Sequence, residues 1–251
     1  MKDPTERFSN RVENYVKYRP GYPPEILRLF DEEIGLTADS IIADIGSGTG
    51  ISARMFLENG NRVFAVEPND AMRAAADASL SSYQNYYSVK GTAENTTLAE
   101  DSIDIAIAAQ AFHWFDIEPT RAEFERIVKQ KGYIALIWNE PELDTTPFLI
   151  EYEAFLNKYA DDYANVRHDN VNNETLNIFF RGAFNTREFA NRQVLDIEGL
   201  RGRILSSSYM PTPEAANYWM MNKDLVSLFA KHAESDRIEV LYRTKIYYKQ
   251  V

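Results

Sequence analysis

The stretch Ile41–Gly50, IIADIGSGTG, puts three glycines, alternating with small residues, directly behind a short apolar run. Ile41 to Asp44 has the length and composition of a strand buried on both faces. Ile51 to Asn59 reads as a helix that Gly60 stops. Between them lies a backbone almost free of side chains, which can adopt positive φ and let a ligand approach the N–H groups at a helix N-terminus. A strand, a bare loop and a helix in that order belong to the first unit of a parallel, helix-covered sheet.

The rest of the first 140 residues keeps that rhythm. PPEILRLFDEEIGL, from Pro23, aligns Ile26, Leu29, Phe30 and Ile34 on one helical stripe. Arg62 to Glu67 is expected as the second strand, and Asp70 as the cap of an alanine-rich helix through Ser79. Tyr86 to Lys90, Ile103 to Ala109 and Gly132 to Trp138 supply three more strands, with a helix from Pro119 or Thr120 to Lys129 before the last. Strands are also expected at Arg187 to Asp196 and Ile238 to Lys249, and a helix at Thr212 to Lys231 with Pro213 at its start. The fold class is therefore α/β: a doubly wound, mostly parallel seven-stranded sheet with helices on both faces. Residues 1–251 are expected to form a single domain. Residues 1–22 would be an N-terminal lid, and 140–182 a helical insertion after the fifth strand, with helices near Phe148 to Tyr159 and Glu174 to Phe180, serving as a substrate cap.

Composition narrows the function. The net charge is -11 and no run of Lys or Arg exceeds two residues, so the chain lacks the electrostatic footprint of a phosphate-tracking surface and nucleic acid is not expected as a partner. MKDPTERFSNRVENY has no apolar signal core, and no segment has the roughly eighteen apolar residues of a membrane span. With no cysteine, the chain has no disulfide or thiolate chemistry, and a cytoplasmic location without membrane association is expected. His113, His168 and His232 show no metal-ligand spacing, so no metal is expected.

The residues around the loop point to a nucleoside. Glu67 ends the second strand about twenty residues on, where a carboxylate can accept both hydroxyls of a ribose. A nicotinamide dinucleotide is the obvious competitor, but Gly46, Gly48 and Gly50 form G-x-G-x-G, and Ile51 stands where the dinucleotide fingerprint has its third glycine. No Tyr-x-x-x-Lys pair follows the fifth strand. Asp44, ahead of the loop, suits a ligand with a cationic amine better than a pyrophosphate.

In sequence and order, ADIGSGTG, AVEPNDAMR, GTAENTTL and SIDIAIAAQAFHWFD resemble the class I S-adenosylmethionine-dependent methyltransferases over roughly Tyr15 to Trp138. RFSNRVENYVKYRPGYPPEIL and AFHWFD are similar to the small-molecule branch that includes type 11 and trans-aconitate methyltransferase-like proteins. The resemblance implies that Asp44, Gly46, Ser47, Gly48 and Gly50 line the methionine end of S-adenosylmethionine. It implies that Glu67 holds the ribose, that Pro68 and Met72 flank the adenine, and that Ala93 and Glu94 contact its ring. Gln110, Ala111 and Phe112 would pass beneath the methionine, and Tyr15, Tyr18 and Arg19 would form a lid in which Arg19 pairs with the methionine carboxylate. His113 becomes the candidate general base, and His113, Trp114, Trp138 and Asn139 the candidate acceptor contacts. Arg201 and Arg203 point to different faces of an expected helix, so at most one of them turns inward.

The function implied is transfer of a methyl group to an O, N or C atom of a small-molecule acceptor, leaving S-adenosylhomocysteine, by a monomer or homodimer. A protein that binds the cofactor or its product without turnover is the alternative from another class, and a nicotinamide-dependent oxidoreductase the alternative among enzymes.

Overall fold

The computed structural model describes residues 11–161 and 173–251. Seven strands form one sheet in the order β3-β2-β1-β4-β5-β7-β6, with β1 Ile41–Ile45, β2 Arg62–Val66, β3 Tyr86–Val89, β4 Ile103–Ala109, β5 Val128–Pro141, β6 Asn185–Leu195 and β7 Ile238–Gln250. β1 to β5 pair in parallel, and β7 runs antiparallel between β5 and β6. This is the doubly wound, mostly parallel sheet expected from the sequence. The chain winds outward from β1 through β2 to β3, then restarts at β4 on the other side of β1. Loops leaving β1 and β4 therefore diverge, and an open α/β sheet forms its binding crevice where they do.

The helices follow from apolar stripes and local caps. The helices are α1 Val12–Tyr18, α2 Glu25–Ile34, α3 Ile51–Glu58, α4 Asp70–Leu80, α5 Ile117–Ile127, α6 Pro147–Tyr159, α7 Asn173–Phe180, α8 Ile197–Leu205 and α9 Tyr218–His232. On one face of the sheet Ile26 and Phe30 of α2, Phe56 of α3 and Leu80 of α4 meet Ile42, Ile105 and Ile246. On the other, Phe124 and Ile127 of α5 and Phe179 and Phe180 of α7 cover Ala43, Ala106 and Leu136. A third core joins α6, α8 and α9 to Ile238, Val240 and Tyr242 of β7. Helices stand where the sequence places them at 148–159 and 174–180. Residues 162–172 of the expected cap and 1–10 of the expected lid lie outside the described residues.

Several boundaries shift by one or two residues from the sequence reading, the helix expected from Pro119 or Thr120 to Lys129 being Ile117–Ile127, and three differences have a clear local cause. The cap of α4 is Asn69, whose side chain accepts from the N–H groups of Ala71 and Met72 at 2.9 and 3.0 Å; Asp70 instead pairs with Arg73 and Lys90. The helix expected from Thr212 begins only at Tyr218. Pro211 and Pro213 hold the preceding stretch in turns, since proline removes a helical donor and restrains the residue before it. β5 outgrows its apolar stretch at both ends: Val128 pairs with Ile103 of β4 at its start, and β7 pairs with it from Tyr133 through Pro141.

Candidate functional site

The glycine loop takes its shape from its neighbours. Gly46 (φ 70°), Gly48 (φ 55°) and Gly50 (φ 82°) all occupy the left-handed region. A Cβ on Gly46 would lie 2.6 Å from that of Ala111, so the loop after β1 and the one after β4 touch through a missing side chain. Around Gly48 the space is open, and Gly50 turns toward Leu80 and Ala76 of α4.

These loops and the N-terminal segment enclose a cleft of about 270 Å³ at the carboxyl ends of β1, β2 and β4. Glu67 stands at its rim with both carboxylate oxygens occupied: Gly48 N–H donates to Oε2 at 2.9 Å and Asn69 N–H to Oε1 at 2.8 Å. Burial raises the carboxyl's pKa against the opposing pull of these two donors. On the far wall Glu94 accepts the N–H of Asp116 at 3.1 Å. Gln110, just past β4, sits at φ 57°, a strained conformation for a residue with a Cβ. His113 lies in the single turn Phe112–Trp114, its ring 4.4 Å from that of Trp114 and 5.3 Å from that of Trp138.

Of the site residues expected from sequence, Tyr15, Arg19, Gly46, Ser47, Gly48, Glu67, Pro68, Met72, Ala93, Glu94, Gln110, Ala111, His113 and Trp114 line the cleft. Six others stand behind its walls, each for a packing reason. Asp44 is fully buried on the α3 side of β1, where Ser52 Oγ donates to its Oδ2 at 2.6 Å, and burial lifts its pKa to about 7. Ser52, in the first turn of α3, takes its place on the cleft wall. Gly50 serves the contact of α3 with α4. Tyr18 turns its ring onto Gly202 of α8. Phe112 packs edge-on against Phe179, 4.7 Å between centroids, and Trp138 is buried in the same core. Asn139 is buried too, donating to Gly21 O at 3.1 Å and accepting from Thr244 Oγ1 at 2.5 Å.

The cleft also takes Tyr22, Thr49, Ile51, Ser52, Asn69, Thr92 and Ala109, which the sequence reading passed over, and Phe115, Ser208 and Tyr209, which it reached only as an aromatic group near a cation and as part of EGLRGRILSSSYMPTPE. Thr49, Ile51 and Ser52 were accessible to inference, since the first turn of the helix after a glycine loop must face the same ligand. Ser208 and Tyr209 carry no such individual signal within that segment. Of the two α8 arginines, Arg203 points inward, donating to Tyr242 Oη at 3.2 Å and Ser207 Oγ at 3.1 Å, while Arg201 reaches Asn222 and Glu198 at the surface.

The polar groups of the cleft are arranged for a ligand with several hydrogen-bonding ends. Arg19 Nε, Ser47 Oγ, Thr49 Oγ1 and Gln110 Oε1 are buried and have no hydrogen-bond partner among the described residues. Buried polar atoms are seldom left so, and four on the walls of one cleft mark where ligand atoms belong. A guanidinium at one end, a carboxylate at a strand end and apolar Pro68 and Met72 beyond it match the carboxylate, ribose and base of an amino-acid nucleoside.

Comparison with known proteins finds methyltransferases. A family model described as a methyltransferase domain matches residues 43–136. Residues 43–136 are thus similar to a methyltransferase domain. Among solved structures, a putative type II methyltransferase from Anaeromyxobacter dehalogenans shares the fold with TM-score 0.69 at 20% identity, covering 93% of this chain and 98% of that one. A Haemonchus contortus phosphoethanolamine N-methyltransferase in complex with S-adenosyl-L-methionine shares it with TM-score 0.57 at 16% identity, over 99% of this chain and 58% of that one. Among curated sequences, an uncharacterized methyltransferase-like protein of Schizosaccharomyces pombe is 30% identical over 156 residues, 62% of this chain and 59% of its own. An uncharacterized methyltransferase of Mycobacterium tuberculosis is 34% identical over 144 residues, 55% of this chain and 54% of its own. The chain thus spans between half and three fifths of these methyltransferases' length. Among the described residues, no helix is long and apolar enough to cross a membrane.

Proposed function

We propose that this chain uses S-adenosylmethionine to methylate a small-molecule acceptor. The observation that carries the reading is Glu67, a buried carboxylate fastened to the glycine loop through Gly48 and to the α4 cap through Asn69, in a cleft where Arg19 Nε, Ser47 Oγ, Thr49 Oγ1 and Gln110 Oε1 have no hydrogen-bond partner among the described residues. A carboxylate so held keeps lone pairs for two vicinal hydroxyls, the group that distinguishes a ribose.

When bound, the cofactor supplies a methyl carbon already activated by a sulfonium, so the protein's task is alignment and exclusion of water. Orientation of this kind is worth roughly 7 to 11 kcal/mol in favourable cases. Arg19 would pair with the amino-acid carboxylate, Ser47 and Thr49 would satisfy its polar atoms from the loop, and Pro68 and Met72 would pack on the base. Trp114 and Phe115 present aromatic faces at the far side of the cleft, where a cation is favoured by on the order of 0.5 to 2 kcal/mol. An imidazole nitrogen of His113 takes the proton from a hydroxyl or amine acceptor; a carboxylate acceptor needs no base, and His113 then orients it. The net charge of -11 weighs against a nucleic acid in the acceptor's place.

The test is calorimetric titration with S-adenosylmethionine, S-adenosylhomocysteine and NADH in parallel. Micromolar binding of the two sulfur nucleosides and none of NADH supports the proposal. Binding of NADH alone overturns it.

A further inference from the structure

The N-terminal segment is fastened at a place that its own sequence does not announce. The guanidinium of Arg11, itself buried, donates from Nη1 to Leu205 O at 2.9 Å and Ser207 O at 2.7 Å, and from Nη2 to Met210 O at 2.6 Å. Arg19, at the other end of α1, donates from Nη2 to Ser206 O at 3.0 Å. Two arginines thus satisfy four carbonyls of the turn that closes α8. Leu205 O is the last carbonyl of α8, where intrahelical donors run out and partial negative charge collects, and Ser206, Ser207 and Met210 follow in the turn beyond it, so the guanidinium groups meet the end of the helix with the fitting sign. Between the two arginines, the ring of Tyr18 lies against Gly202 so closely that a Cβ there would overlap three ring carbons. Gln193 of β6 adds a donor to Tyr18 O at 3.0 Å.

The two sides of this joint are also two sides of the cleft. Tyr15 and Arg19 line it from the segment, Ser208 and Tyr209 from the turn. Each of the four lies within four residues of a clamp bond, while the joined stretches stand some 190 residues apart in the chain.

We infer that Arg11 and Gly202 are positioning residues which latch the segment 11–19 onto the closing turn of α8 and thereby set how tightly the cleft holds its nucleoside. Arg11 acts through Tyr15 and Arg19 on one wall and through Ser208 and Tyr209 on the other. Gly202 acts by leaving room for Tyr18. The inference rests on the reading of the cleft as an S-adenosylmethionine site, and it makes the cofactor end answer to α8, an element that the first 140 residues do not contain.

Two measurements test it. Titration with S-adenosylhomocysteine on the full chain should find affinity at least tenfold weaker in Arg11→Ala and in Gly202→Ala than in the unaltered protein. Alanine is the better helix former, so Gly202→Ala should not lower the thermal midpoint through α8 itself. Adding Tyr18→Leu to Gly202→Ala, which frees the space again, should recover part of the lost affinity, an effect that simple destabilisation would not produce. Hydrogen exchange across residues 11–19 of the unliganded protein should be faster in both single variants. Affinities within twofold of the unaltered protein, or losses that follow the midpoint and are not recovered in the double variant, would overturn the latch. If the unaltered protein binds no S-adenosylhomocysteine, it is the cofactor reading that fails, and the exchange rates alone then decide: unchanged exchange rejects the latch, faster exchange upholds it.

Discussion

Glu67 and Gly48 are joined by a 2.9 Å hydrogen bond from the loop N–H to the carboxylate, across nineteen residues of sequence, so the end of β2 holds the bend that leaves β1. The same carboxylate accepts from Asn69. Glu67→Ala therefore removes a ligand group and two loop restraints together. Affinity for S-adenosylhomocysteine is expected to fall at least tenfold, about 1.4 kcal/mol. The thermal midpoint should fall as well, because two N–H groups lose a charged acceptor at about 1 to 3 kcal/mol of stability. Calorimetry and thermal melts on one preparation check both; unchanged affinity would remove Glu67 from the site.

Gly48 and Gly50 separate binding from folding. Both have positive φ, but a Cβ on Gly48 would meet nothing within 4 Å, whereas one on Gly50 would overlap Leu80 of α4. Gly48→Ala should fold with a loss of about 1 kcal/mol from backbone strain and weaken nucleoside binding. Gly50→Ala should lower the midpoint by several degrees or fail to fold. The reverse order of effects in melts and titrations would contradict the placement of the two glycines.

Asp44 predicts a pH dependence with a definite sign. Burial raises its carboxyl from 3.8 to about 7, so between those values the folded chain binds a proton that the unfolded chain does not. Its contribution to stability is therefore fully present below about pH 4 and is lost as pH rises through 7. The other carboxylates act alike in the unaltered protein and in Asp44→Asn, so the comparison isolates this group. The midpoint of the unaltered protein relative to the variant should rise as pH falls from 8 to 5; a flat difference would show that Asp44 titrates normally.

His113→Ala tests the chemistry apart from the cofactor. The imidazole lines the cleft with its ring 4.4 Å from that of Trp114 and 5.3 Å from that of Trp138. With a hydroxyl or amine acceptor, turnover is expected to drop about 100-fold or more while affinity for S-adenosylhomocysteine changes less than threefold. Retained turnover would leave His113 a purely packing role.

The sheet was legible because its signals are local. Ile41 to Ile45 and Ile103 to Ala109 are apolar runs ended by loops, and the glycines of 46–50 demand positive φ wherever they fall. Glu67 was legible for the same reason, by its distance from the loop. Strand alternation explains why Asp44 was harder to place: it shares a face with Ile42, so its side chain runs under α3 to Ser52 and does not reach the cleft. Phe112 and Trp138 follow the rule that large aromatic groups at strand ends seek the core. Ser208 and Tyr209 were legible only as part of EGLRGRILSSSYMPTPE, a stretch the sequence offers for the acceptor pocket as a whole, since it is the docking of α1 against the end of α8 that brings these two to the cleft.

The central claim is that the cleft bounded by Glu67 and the glycine loop holds S-adenosylmethionine, and a crystal structure of the protein with S-adenosylhomocysteine tests it most directly. The account predicts both ribose hydroxyls within hydrogen-bond distance of Glu67, the base between Met72 and the Ala93–Glu94 segment, and the amino-acid carboxylate at Arg19. A nucleoside bound elsewhere, or one in this cleft with its ribose turned away from Glu67, would contradict it.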